Sequence, residues 1–251
     1  MFPRKIKDNL WILGNEYFQI YLIRGKSACA LFETGISATA DIVPGQLSAL
    51  GVKPDYLIVS HPHSDHIAGL DYLKNAYPDA KVIAGEGAEA FVSHPKAAPS
   101  MIAEDAFMLK VLTARGVANS FRTIEDAPSL AGCRVVHDGD ELDLGGLTIR
   151  FLEAKGHSPG NILAQIPALE ALLVSDSLGN RYPGRGFFPV FFTGYNDFMK
   201  TIDRIEKINP AMLGLAHHGF FTGAGEIKSV IQEAVKCIED VRDFIIVSSE
   251  D

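Results

Sequence analysis

Apolar positions along this chain come in short bursts. Leu10 to Leu13, Phe18 to Ile23 and Ala28 to Phe32 are brief strand-like runs separated by Gly-containing turns. Ala38 to Leu50 has helical spacing and ends near Gly51, and Ile67 to Tyr77 makes another helix that Pro78 stops. Between them Pro54-Asp55-Tyr56-Leu57-Ile58-Val59-Ser60 reads as a buried strand, and Val82-Ile83-Ala84 follows as a shorter one. The second half repeats this logic with strands between about residues 134 and 174, a helix over Asp197 to Ile208 and a strand over Met212 to Leu215. Ile227, Val230, Ile231, Ala234, Val235, Ile238 and Val241 then recur at helical spacing, which predicts a terminal helix whose apolar stripe covers a sheet.

Two segments depart from this regularity. Residues 88 to 130 place Phe91, Met101, Phe107, Met108 and Leu109 at roughly helical spacing, a helical insertion that either lids a pocket or packs as a satellite pair on the body. Leu178 to Tyr195 holds four Phe and two Tyr among Gly and Pro, too irregular for one element and too apolar to stand free in water. It is expected to wall a pocket, with Tyr182, Phe188, Phe192 and Tyr195 as substrate contacts; folding onto the core or a homodimer contact is the alternative.

Composition narrows the class. The chain has 251 residues, 47% of them hydrophobic, enough for one large core and an expected single domain over residues 1–251. A formal net charge of −8 disfavours nucleic acid and anionic membrane as partners, because phosphate binding needs clustered Lys and Arg. The sequence shows neither a membrane-length apolar run nor a secretory h-region, and Cys29, Cys133 and Cys237 are few and widely spaced. Together these point to the cytoplasm and a small-molecule substrate, with the cysteines packing as small apolar residues.

Chemistry concentrates in His61-Pro62-His63-Ser64-Asp65-His66, directly after the predicted strand that ends at Ser60. Strand ends hold side chains rigidly while leaving them open to a cleft. Imidazole and carboxylate are donors for zinc, and equally for iron or manganese. Further donors follow other strand-like runs: His157 in Gly156-His157-Ser158-Pro159-Gly160-Asn161, Asp176 after Leu172-Leu173-Val174-Ser175, and His217-His218-Gly219 after Met212-Leu213-Gly214-Leu215-Ala216.

With these motifs the chain resembles the metallo-β-lactamase-fold hydrolases over nearly its whole length. The resemblance implies an α/β fold, an αββα sandwich in which two central mixed β-sheets are flanked by helices. It implies two divalent ions, zinc foremost with iron or manganese compatible. His61, His63 and His157 would hold one ion; Asp65, His66 and His218 would hold the other, with Asp176 bridging. Of the adjacent pair, His218 is expected to face the ions because Gly219 follows it, as glycine follows the final ligand in related sequences; His217 then becomes a pocket wall in contact with substrate. Glu33, in Leu31-Phe32-Glu33-Thr34-Gly35, stands where the family usually has Asp, a supporting position beside the site.

The expected chemistry is hydrolysis by a metal-bridging hydroxide, with Asp65 orienting the attacking water or accepting its proton. A thiolate leaves without a strong general acid, and no dedicated acid is visible, so a thioester or a carboxylic ester or lactone is the expected substrate. Looser similarity to quinolone-response thioesterases of this fold, in residues 21 to 37, agrees; similarity to glyoxalase II stops short of that family's glutathione-binding region. Phosphodiester or β-lactam hydrolysis is the alternative within enzymes, and a metal-bound regulatory or protein-binding module is the alternative outside them.

Overall fold

The computed structural model describes residues 2–117 and 122–249. Strands β1 (Arg4–Lys7), β2 (Leu10–Gly14), β3 (Gln19–Arg24), β4 (Cys29–Phe32), β5 (Tyr56–Val59), β6 (Lys81–Gly85) and β7 (Arg134–Val136) lie side by side in chain order in one sheet. Neighbours from β1 to β4 run antiparallel, and those from β4 to β7 run parallel. A second sheet contains β8 (Glu141–Asp143), β9 (Thr148–Glu153), β10 (Ile162–Ile166), β11 (Ala171–Ser175), β14 (Met212–Leu215) and β15 (Phe220–Thr222). Its spatial order is β15-β14-β11-β10-β9-β8, and only β11 and β14 pair in parallel. Between them in sequence, β12 (Asn180–Tyr182) and β13 (Gly186–Phe188) form a separate hairpin inside the aromatic segment.

Burial on both faces explains why the strands read as continuous apolar runs. Leu10, Ile12, Tyr21, Ile23, Phe32 and Ile58 share one cluster with Ile149, Phe151, Ile162, Ala164 and Leu173 of the second sheet. The alternate positions Trp11, Leu13, Leu22, Leu31, Leu57 and Val59 instead join Val43 and Leu47 of α1 (Ser37–Ala49) and Leu70 and Leu73 of α3 (Leu70–Ala76). On the far side, Leu152, Leu163, Leu172 and Leu213 pack on α6 (Tyr195–Ile208) and α7 (Ala224–Ser249) through Phe198, Ile202, Ile227, Ile231 and Ile238. Two mixed sheets stand face to face with helices outside both, the α/β sandwich that the motifs implied.

The predicted helix over residues 67–77 is two pieces, α2 (Ser64–Ile67) and α3, broken at Gly69. A Cβ there would stand 2.2 Å from the Thr34 carbonyl oxygen and 3.2 Å from the Ala40 Cβ, so close approach to α1 requires glycine.

Between β6 and β7 the expected helical insertion is α4 (Ala88–Val92) and α5 (Ala97–Ala114); its residues 118–121 lie outside the described residues. α5 packs against α1 and α2, the turn that carries the His-rich motif. Its anchor is Asp105, fully buried, whose Oδ1 accepts from the Ser37 amide at 3.0 Å and whose Oδ2 accepts from the Ile124 amide at 3.1 Å. Asp105→Ala strands both amides, and we expect a loss of roughly 3 kcal/mol, read as a lower denaturation midpoint at unchanged m-value. An unchanged midpoint would show that α5 is held by apolar packing alone.

Candidate metal centre

Every cluster residue leaves the body at the C-terminal end of a strand. His61 follows β5, His157 follows β9, Asp176 follows β11 directly and His217 follows β14. His63 is extended at the N-terminus of α2, and the single turn of α2 carries Asp65 and His66 back toward His61. Two left-handed residues lie close by: Glu33 at φ +81° and Ser175 at φ +49°, a conformation that costs non-glycine residues and persists only where surrounding contacts enforce it. Gly156, at φ +102°, abuts α6, where a Cβ would meet the Phe198 backbone nitrogen at 2.2 Å. Gly156→Ala is therefore expected to push His157 out of place and lower metal content on its side of the cluster; elemental analysis showing wild-type content would refute this.

The side chains converge in two groups. His61, His63 and His157 each offer a ring nitrogen, and these atoms lie within 4.8 Å of one another; Asp65, His66, Asp176 and His217 do the same beside them. His61 Nε2 and His157 Nε2 are 3.0 Å apart. His66 Nε2 stands 3.4 Å from Asp65 Oδ2 and 3.3 Å from Asp176 Oδ2, and His217 Nε2 lies 3.2 Å from Asp65 Oδ2 and 3.5 Å from Asp176 Oδ1. Asp176 Oδ2 is also 3.9 Å from His157 Nε2, so this one carboxylate reaches both groups.

The outer ring nitrogens fix which atoms face inward. His157 Nδ1 donates to the Val190 carbonyl at 2.7 Å and His217 Nδ1 to the Tyr17 carbonyl at 2.7 Å. His66 Nδ1 donates to Glu33 Oε2 at 2.9 Å. The Ser60 hydroxyl donates to the same oxygen at 2.8 Å and so accepts from His61 Nδ1 at 3.1 Å. Glu33 thus does the supporting work of the shorter acid, orienting one histidine directly and another through Ser60. With these four Nδ1 atoms engaged, the Nε2 atoms of His61, His66, His157 and His217 point at one another and at two carboxylates.

Lone pairs in contact repel, and cations between them would relieve the repulsion. The donor set therefore fits divalent metal, with His and carboxylate admitting zinc, iron or manganese. Protonation gives the same sense of the field. Burial, reinforced by the neighbouring imidazoles, pushes His61 well below the usual histidine range, and burial lowers His63 to about 4. Burial also works against charge on His66, but Asp65, Glu33 and Asp176 outweigh it and hold its pKa well above the usual value. The second group is the more anionic half, the natural seat of a positive charge.

Three expected side chains fall elsewhere. His217, not His218, reaches the carboxylates. His218 sits at φ +50°, which turns its ring out against Tyr17 at 5.0 Å and toward Tyr182 at 6.5 Å. Gly219 marks packing, not ligation: a Cβ would meet Phe221 at 2.7 Å and Leu215 at 2.8 Å. Tyr195 begins α6, packs on Phe191 and accepts a hydrogen bond from Arg242 at 2.9 Å, tying α6 to α7 instead of contacting a cavity. Phe188 is exposed on β13 and lines none of the cavities described below. Tyr182 lies in a cavity wall, and Phe192 has its ring 5.7 Å from both His63 and His157.

Two cavities open beside the cluster, one along the C-terminal half of α5 and one along its N-terminal half. The first, about 270 Å³, is bounded by Asp65 and His217, by Phe107, Met108, Val111 and Leu112 of α5, and by Tyr17, Arg115, Arg181, Tyr182 and His218. The second opens at His63 between Phe91, Met101 and the polar residues Ser64, Lys96, Ser100 and Glu104. Sequence reasoning missed Tyr17, Arg115 and Arg181, which carry no motif and meet only through the fold. Among the described residues no helix is long and apolar enough to cross a membrane.

Known proteins agree with this geometry. Residues 19–217 match the model of the metallo-beta-lactamase superfamily. The chain is 26% identical over 127 residues to Glyoxylase B2 of Dictyostelium discoideum (51% of this chain, 36% of that protein). It is 28% identical over 136 residues to a hydroxyacylglutathione hydrolase of Ruegeria pomeroyi (54% of this chain, 38% of that protein). The chain thus spans little more than a third of either relative. ST1585, a metallo-beta-lactamase fold-containing protein of Sulfurisphaera tokodaii, is 24% identical over 211 residues, which cover 81% of this chain and 74% of that protein. Its crystal structure superposes with a TM-score of 0.68, covering 91% of this chain and 85% of that chain at 21% identity. The matched span shows that this chain belongs to the metallo-β-lactamase superfamily, and its clustered imidazoles and carboxylates are a set that could hold metal.

Proposed function

We propose that the chain hydrolyses thioesters or related carboxylic esters and lactones at a pair of divalent ions. The observation that carries this reading is the apolar wall of the first cavity, Phe107, Met108, Val111 and Leu112, ending at Asp65 and His217. Such a wall suits the hydrocarbon part of an acyl group and leaves its carbonyl at the cluster. When bound, two divalent cations bring a water's pKa toward neutrality and polarise the scissile carbonyl. His61, His63 and His157 would hold one and Asp65, His66 and His217 the other, with Asp176 between.

The chain's own groups then do the positioning. Asp65 is the cluster carboxylate that borders the cavity, so it can orient the attacking water and accept its proton. Among the described residues the cavity is lined by no carboxylic acid besides Asp65 to protonate a leaving group. A thiolate, with a pKa of about 8.5, departs most readily without that help, whereas an alkoxide or amine needs a proton or a metal ion to leave. Phe192, exposed with its ring 5.7 Å from His63 and His157, offers an apolar surface beside the three-histidine side.

A panel of acyl thioesters, lactones and bis-nitrophenyl phosphate tests the reading on metal-loaded protein. Thioester turnover is expected to exceed the phosphodiester, and His66→Ala of intact fold is expected to lose it. Turnover of the phosphodiester alone, or of nothing at full metal occupancy, contradicts the proposal.

A further inference from the structure

The first cavity is not apolar throughout, and its basic side carries a second message. Facing the α5 wall are two guanidinium groups, Arg115 at the C-terminal end of α5 and Arg181 on β12. Each is braced by an aromatic ring. Arg115 Cζ lies 5.3 Å over the Tyr17 ring with Nη1 3.4 Å from the Tyr17 hydroxyl, and Arg181 Cζ lies 5.2 Å over Phe221 with Nη1 donating to the His218 carbonyl at 3.3 Å. Among the described residues no carboxylate stands within ion-pair distance of either group. Arg181 Nε is buried and has no hydrogen-bond partner. A buried N–H left without an acceptor costs free energy that a bound oxyanion would return.

We propose that Arg115 and Arg181 form an oxyanion subsite, so that the substrate is an acyl ester or thioester carrying a carboxylate or phosphate away from its scissile bond. This deepens the hydrolytic reading and rests on it. The apolar wall takes the hydrocarbon part. The guanidinium groups, braced by Tyr17 and Phe221, offer planar forks of N–H donors that can meet two oxygens at once, the geometry at which arginine exceeds lysine. Their place beside His218 and Tyr182 puts the anion on the outer face of the His217 side, clear of the three-histidine group.

The test uses metal-loaded protein and non-hydrolysable thioether analogues of a short acyl thioester, ending in a carboxylate, a phosphonate or the neutral methyl ester. Calorimetry is expected to show the anionic analogues binding at least about tenfold tighter than the methyl ester. In Arg115→Gln and Arg181→Gln that preference is expected to fall to about twofold or less, with Arg181→Lys recovering part of it. Preference for the carboxylate alone or the phosphonate alone identifies which oxyanion the subsite takes. A preference that survives both glutamine variants means the anion sits on the metal ions, and equal binding of charged and neutral analogues by the wild type removes the subsite; either result overturns the proposal. Arg115 is exposed at a helix end, so its variant remains informative even if Arg181→Gln fails to fold. Parallel kinetics separate the two readings: equal turnover of charged and neutral thioesters sinks the subsite and leaves hydrolysis standing, while Arg-dependent binding without turnover does the reverse.

Discussion

Asp176→Asn is expected to abolish turnover while leaving the fold in place. The substitution keeps the shape of the side chain and removes its charge. Asp176 is the carboxylate that approaches both groups, 3.3 Å from His66 Nε2, 3.9 Å from His157 Nε2 and 3.5 Å, through Oδ1, from His217 Nε2. Losing a bridging anion between two cations costs several kcal/mol of their binding. At about 1.4 kcal/mol per tenfold, a loss of roughly 4 kcal/mol lowers the rate about 1000-fold. Metal content should fall below the wild-type value in the same sample. Wild-type rate and metal content in Asp176→Asn would remove the bridging role. A fall in thermal stability without loss of bound metal would show instead that Asp176 matters to packing.

The second large effect separates the adjacent histidines. His217→Ala should lose the ion on the side of Asp65 and His66, and with it at least about 1000-fold in turnover. His218→Ala should retain the full complement of metal. His218 touches the cavity wall through its ring contacts with Tyr17 and Tyr182 and lends its carbonyl to Arg181, so its loss should appear in substrate binding. Metal content per chain, measured on both variants at equal purity, decides between them. If His218→Ala is the variant that loses metal, the assignment is reversed.

These residues show how much the sequence disclosed. The His61-to-His66 motif was legible because a strand buried on both faces, Leu57 to Val59, must end where its polar successors begin, and six residues then supply four donors. His157 and Asp176 were legible for the same reason, each following a strand that needed no long-range information to identify. The choice between His217 and His218 was not. It depends on a single left-handed backbone angle at His218, and the glycine that seemed to mark the final ligand is demanded by Phe221 and Leu215. The aromatic segment failed similarly, since Tyr182 and Phe192 reach the site while Phe188 and Tyr195 point elsewhere, an outcome set by the β12–β13 hairpin for the first and third and by the entry into α6 for the others. Asp105 answers to partners 19 and 68 residues away and the two cavity arginines to partners 37 and 98 residues away, so no local pattern announces them.

The central claim is that one set of side chains encloses a pair of ions. Anomalous diffraction from a crystal loaded with zinc tests it most directly. The account predicts two peaks, one among His61, His63 and His157 and the other among Asp65, His66 and His217, with Asp176 between them and His218 bound to neither. A single peak, or a second peak coordinated by His218, would contradict it.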